Sequence, residues 1–173
     1  MNPTEFRRHL HAHPELSFKE HDTAAFIADR LTELGIEHRP IARTGVLARI
    51  EGHGKADPKR RAIVLRADID ALSIGERTGL PFASQVPGMM HACGHDAHAA
   101  MLVGAAKVLM QVKDQLCGTV KLLFQPAQMF GRGAKAVIQQ HGLDGVDFIF
   151  GIHIGSQMDV GSVAMMAGAS AAA

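Results

Sequence analysis

Apolar positions change period along the chain, and each change marks an element. Residues 3–12 and 19–34 read as two helices, the second with Ala24, Ile27, Leu31 and Leu34 on one face and a stop at Gly35. Pro14 divides them, because it bars His13 from the helical region. Residues 45–51 alternate as a strand, and the turn-rich stretch 52–58 after them implies a hairpin to the next strand. Ala62-Ile63-Val64-Leu65 is a near-continuous apolar run, the mark of a strand covered on both faces. From Ala97 the residues Met101, Leu102, Ala105, Val108, Leu109 and Val112 recur at helical spacing, predicting a helix of about four turns with Asp96 as its N-cap. Residues 119–124 form a second central strand, 133–141 a short helix closed by Gly142, and 147–153 a third strand. A last short strand is expected over 161–166, before a featureless tail of small residues.

Strands separated by helical segments give an α/β class, expected as a three-layer α/β/α sandwich around a mostly parallel or mixed sheet. Strands 62–66, 119–124 and 147–152 should be neighbours in it. No repeat and no interior linker interrupts the chain, so 1–173 is read as a single domain. Residues 71–90 are rich in Gly and Pro without a clear period, which marks a site-forming loop. Three strand ends carry polar groups: Arg66, Asp68 and Asp70; Gln125 to Met129; and His153. In open α/β sheets such ends share one cleft.

The densest chemistry lies in Met90-His91-Ala92-Cys93-Gly94-His95-Asp96-Ala97-His98. Cys93 and His95 are separated by one glycine, which lets thiolate sulfur and imidazole nitrogen face one ion. The plainer alternative is a buried structural cysteine beside helix-capping histidines, and the added His91, Asp96 and His98 weigh against it. Asp68 and Asp70, two apart on a strand, point the same way and can bind metal or orient a ligand histidine; solvated carboxylates are the alternative. His11 and His13 can also ligate, although histidines beside an amphipathic helix more often lie at the surface or behind the ligands.

Composition narrows this picture. The chain has 173 residues, 47% of them hydrophobic, with 18 basic against 17 acidic side chains and a net charge of +1. That balance makes no electrostatic case for nucleic acid or an anionic membrane, and Lys59-Arg60-Arg61 reads as a solvated turn before a strand. Cys93 and Cys117 make no disulfide scaffold, which fits a reducing cytoplasm. Met1 to Leu10 lacks the apolar core of a signal peptide, and no run of about eighteen apolar residues occurs, so neither export nor membrane spanning is expected.

Four motifs taken together, Arg8 to Leu16, Leu65 to Leu72, Met90 to His98 and Phe124-Gln125-Pro126-Ala127, resemble the M20 metallopeptidases over about residues 5 to 165. The nearest branch holds the N-acyl-amino-acid, hippurate and indole-acetyl-amino-acid hydrolases. The resemblance implies a zinc-peptidase-like α/β sandwich with a two-metal site at the sheet's edge. Its members hydrolyse an amide with water activated between two divalent ions, while a glutamate takes the proton and later delivers it to the leaving amine. Carried over by motif, Cys93 would bridge the ions, His95 and His153 would ligate them, and Asp68, Asp70 and His98 would support those ligands from behind.

The chain departs from that pattern at Gln128 and Met129, where the family has a general-base glutamate and a ligand glutamate. An amide cannot accept a proton at neutral pH, and a thioether is a poor ligand for hard or borderline ions. The chain also reaches Ala173 about where members begin a lid domain, so the lid's substrate contacts and the last histidine ligand are expected to be absent. The implied cofactor is a divalent metal (Zn, Mn, Ni or Co), absent or limited to one ion. The implied partner is a small N-acyl amino acid or short peptide, with homo-oligomer formation or association with a missing C-terminal half left open. Two functions therefore compete: an impaired metallo-amidohydrolase, and a non-catalytic remnant or fragment that binds metal or a partner.

Overall fold

The computed structural model describes residues 1–55 and 61–164. Helix α1 (Pro3–Ala12) starts on a capping box: the Asn2 side chain accepts the Glu5 N–H at 2.9 Å, and the Glu5 carboxylate accepts the Asn2 N–H at 3.1 Å. Helix α2 (His21–Glu33) follows, then strands β1 (Glu37–Ile41), β2 (Gly45–Glu51) and β3 (Arg61–Asp68). Helix α3 (His95–Gln111), β4 (Gly118–Gln125), α4 (Arg132–Gln139) and β5 (Phe148–Gly151) complete the order. The sheet runs β1-β2-β4-β3-β5, parallel over β4-β3-β5 and antiparallel over β1-β2-β4. It is a mixed sheet with its parallel half where the three apolar strands were expected, and no lid-like second domain occurs among the described residues.

Strand alternation divides the core. Val46, Ala48, Ile50, Ala67, Val120, Leu122 and Phe124 face α1, α2 and α3, packing with Phe6, Leu10, Ile27, Leu31 and Leu102. Leu47, Val64 and Leu123 face the other way, against Val137 of α4. Helices thus cover both faces, thickly on one and thinly on the other. Among the described residues, no helix is long and apolar enough to cross a membrane.

Four expectations need correction. The hairpin lies before β2, not after it: β1 pairs with β2, and β4 sits between β2 and β3. β1 escaped notice because Glu37-His38-Arg39-Pro40 reads as polar, and because its proline is tolerable only on an edge strand. Its turn is also unmarked, since Ala42 and Arg43 take φ values of 51° and 74° without glycine or asparagine.

Helix α3 starts at His95, and its N-cap is Gly94 at φ 81° rather than Asp96. The positive φ favours glycine, and a Cβ there would lie 2.2 Å from the Ile154 Cδ1, so that side chain would have to turn aside. Asp96 is freed to look toward α1. The third strand is shorter than expected and stops at Gly151, leaving His153 beyond the ladder. Residues 161–164 form a turn and irregular chain rather than a strand, and 165 and 166 lie outside the described residues.

Candidate metal centre

β3 and β4 run parallel, with Asp68 beside Gln125 in register, so the segments leaving both strands enter one region. β5 delivers the following residues to the same edge. Opposite them stands the N-terminus of α3. One donor atom each from Cys93, His95 and His153 lies within 4.8 Å of the others, and the Cys93 sulfur is 3.4 Å from His153 Nε2.

Both imidazoles are oriented by carbonyls. A carbonyl only accepts, so His95 Nδ1 donates to the Asp70 carbonyl at 2.8 Å, with the Asp70 carboxylate a further acceptor at 3.2 Å. His153 Nδ1 donates to the Ile154 carbonyl at 2.7 Å. The Nε2 lone pair of His153 thus meets the Cys93 sulfur, and His95 Nε2 is buried with no hydrogen-bond partner, 3.7 Å from the Asp68 carboxylate. An orphaned buried acceptor beside a thiol and a second imidazole fits one thiophilic or borderline cation. Burial lowers the pKa of His95, but the hydrogen bond and charge of Asp70 and the charge of Asp68 outweigh it and leave the ring more basic than usual. Burial and the nearby Asp68 and Asp70 raise the Cys93 thiol, a balance that a bound cation reverses.

A second group, Asp68, His95 and His98, is fully buried and equally close. It has less to offer a cation. His98 Nδ1 donates to the Asp68 carboxylate at 2.6 Å, and His98 Nε2 accepts the Ile154 N–H at 3.0 Å, so both ring nitrogens are engaged. Asp68 also pairs with Arg66 at 2.9 Å. Burial pushes its pKa up, but the His98 hydrogen bond and the charges of His95, Arg66 and His98 prevail and hold it at about 2.

Gln128 and Met129 lie in the turn after β4, Gln128 half-buried and Met129 exposed. The Met129 N–H donates to the Asp70 carboxylate at 3.1 Å, which ties this turn to the residue that orients His95. Ser17 donates to the same oxygen at 2.6 Å. His11 is buried, with Nδ1 2.8 Å from the Asp96 carboxylate and Nε2 3.2 Å from that of Glu76, whereas His13 is exposed. Neither belongs to the groups that could hold a metal among the described residues.

The sequence reading missed Glu20. Fully buried at the start of α2, it accepts the Ala127 N–H at 2.9 Å and the Thr44 hydroxyl. Ala127 has φ 50°, so Glu20 steadies a strained turn immediately before Gln128. Nothing in Phe18-Lys19-Glu20-His21 signals a partner 107 positions away. Burial raises the Glu20 pKa against the bonds from Thr44 and Ala127. A raised acid favours the folded state below its unfolded pKa and loses that contribution as pH rises through the folded value. Glu20→Gln keeps an acceptor for Ala127 and should flatten the decline in stability above the ordinary glutamate range. Glu20→Ala orphans two buried donors and should cost about 2–4 kcal/mol. Urea unfolding of both variants between pH 4 and 8 checks this, and an alanine variant as stable as the parent would count against it.

Residues 64–168 match the family described as peptidase family M20/M25/M40. The chain is 52% identical over 163 residues to an N-acetyl-L-cysteine deacetylase of Bacillus subtilis, covering 94% of this chain and 38% of the relative. It is 44% identical over 170 residues to an N-acyl-L-amino acid amidohydrolase of Geobacillus stearothermophilus, covering 97% and 45%. The solved structure of the Bacillus subtilis YXEP protein, described as a dinuclear metal-binding peptidase, superposes with a TM-score of 0.87 at 46% identity over 92% of this chain and 44% of that one. The chain thus spans less than half the length of these relatives.

Proposed function

Because the chain belongs to peptidase family M20/M25/M40, we propose that residues 1–173 are the first portion of a metal-dependent amidohydrolase domain whose substrates are N-acyl amino acids or short peptides. The convergence of Cys93, His95 and His153, with both Nδ1 atoms committed to backbone carbonyls and both Nε2 atoms left for a ligand, carries this reading. The ion is divalent, drawn from zinc, manganese, nickel and cobalt, and only one is held well. When bound, it supplies Lewis acidity toward an amide carbonyl and lowers the pKa of a water molecule. Cys93 and the two imidazoles hold it. Asp70 orients His95, and Asp68 with His98 supports the cluster from behind.

The proton-transfer half of the reaction is impaired. Gln128 occupies the base position, and Met129 withholds an anionic ligand. Asp68, held at about pKa 2, is too weak a base, and His98 has no free nitrogen. These same features favour the second reading, a remnant that binds metal or a partner without turnover. Association with a second copy or with a complementary C-terminal half has a candidate surface in Phe148, Ile149 and Phe150, which leave edge strand β5 exposed and apolar. Free Cys93 and Cys117 agree with a reducing cytoplasm.

Calorimetric titration of the chelator-stripped chain with zinc should show about one equivalent bound. Cys93→Ala and His95→Ala should each abolish it. Two tightly held equivalents would refute the single-ion set, and undiminished binding by both variants would refute the ligands.

A further inference from the structure

We infer that His98 is a positioning residue that clamps the segment carrying His153 onto helix α3, and so decides whether the third donor reaches the centre. The inference rests on the reading of Cys93, His95 and His153 as metal donors.

His153 lies beyond the end of β5, where no ladder bonds hold the chain, and its neighbours Ile152 and Ile154 are 70% and 44% exposed. Such a segment needs another anchor if one of its side chains is to keep a fixed place. Two contacts supply it, both through Ile154. Its N–H donates to His98 Nε2 at 3.0 Å, and its side chain rests against the backbone of Gly94.

The clamp is itself rigid. His98 is buried one turn inside α3, and its Nδ1 is fixed by Asp68, which is held in turn by Arg66. An acceptor at Nε2 requires the proton on Nδ1, and the Asp68 carboxylate selects that tautomer. A path of directed bonds thus runs from β3 through Arg66, Asp68 and His98 to the backbone of Ile154. The Ile154 carbonyl then receives His153 Nδ1 at 2.7 Å, so the residue clamped by its N–H also sets the ring of His153 by its C=O. The His98 and His153 rings meet edge to face, with centroids 4.6 Å apart. His98 thus meets both the backbone that carries the third donor and the donor's ring, without having a nitrogen free to ligate.

Cobalt(II) is the probe, because a thiolate-to-cobalt band reports Cys93 while the ligand-field bands report the imidazoles. His98→Phe keeps a ring but no acceptor, and Ile154→Pro removes the donor from the other side. Each should weaken cobalt binding by about 10–100-fold, keep the thiolate band, and shift the ligand-field bands to match those of His153→Ala. Neither loss should add to that of His153→Ala in the double variants. His98→Gln, which retains an acceptor, should recover part of the affinity; if His98→Phe fails to fold, Ile154→Pro and His98→Gln decide. Wild-type affinity and bands in Ile154→Pro, or full additivity with His153→Ala, would overturn the clamp. A parent chain with no thiolate-to-cobalt band would instead overturn the ligand reading, and the clamp with it.

Discussion

Given zinc or manganese, the 173-residue chain is expected to release amino acids from N-acyl substrates no faster than a metal blank. General-base catalysis contributes about 10²–10⁴-fold, and Gln128 cannot provide it. Two groups beside the cluster are poor replacements. Asp68 is held at about pKa 2, so little of its basicity is available, and both nitrogens of His98 are spent on Asp68 and Ile154. If position 129 faces a bound ion, as proposed, Met129 would bring it no negative charge, and activation of water would be weaker. The chain covers 38% of a deacetylase relative and 45% of an amidohydrolase relative, and hydrolysis also requires that the substrate be held in the geometry of attack. These losses fall on one step and need not add, yet the first alone is large. Chromatographic detection of the freed amino acid over hours is sensitive enough to decide. Clear metal-dependent release by the unmodified chain would refute the expectation and would require a base other than Gln128, Asp68 and His98.

The elements that were legible are those in which burial imposes a period. Ile27 and Leu31 on α2, the 62–65 run and the 119–124 run all bury apolar side chains against a neighbouring layer, and burial writes itself into sequence as spacing. β1 buries only Ile41, so its pattern carries almost no such information. The boundary at α3 was misplaced by a different effect. A local preference for Asp at an N-cap yielded to tertiary partners: Asp96 pairs with Arg7 and His11 of α1, and Gly94, at φ 81°, takes the N-cap position.

The same division holds at the site. Cys93 and His95 are separated by a single glycine, and strand-end logic brings His153 toward them, so a local motif and a fold rule suffice to suggest the cluster. Glu20 bonding to Ala127, Ser17 to Asp70, and His98 to Ile154 join positions between 53 and 107 residues apart. No periodicity encodes such pairs. They become visible only when the chain is folded and each buried polar group must find its partner.

Restoring both altered positions, Gln128→Glu with Met129→Glu, is expected to tighten metal binding by more than about tenfold while adding little turnover. The Met129 N–H is held by the Asp70 carboxylate that also orients His95, so the backbone at 129 is already fixed beside the centre. A glutamate there adds an anionic oxygen to a set of one thiolate and two imidazoles, which should extend affinity from zinc toward the harder manganese ion. The Gln128→Glu change is nearly isosteric and falls in a turn braced by Glu20 at Ala127, so it should restore a carboxylate base without rebuilding the loop. Binding and catalysis nevertheless differ in what they require. An ion needs only donors within reach, whereas amide hydrolysis also needs the substrate held close to the geometry of attack. Zinc and manganese titrations beside an N-acyl amino acid assay would separate the two. An unchanged affinity would mean that position 129 does not face the ion, and brisk hydrolysis would mean that these residues position substrate without help from any others.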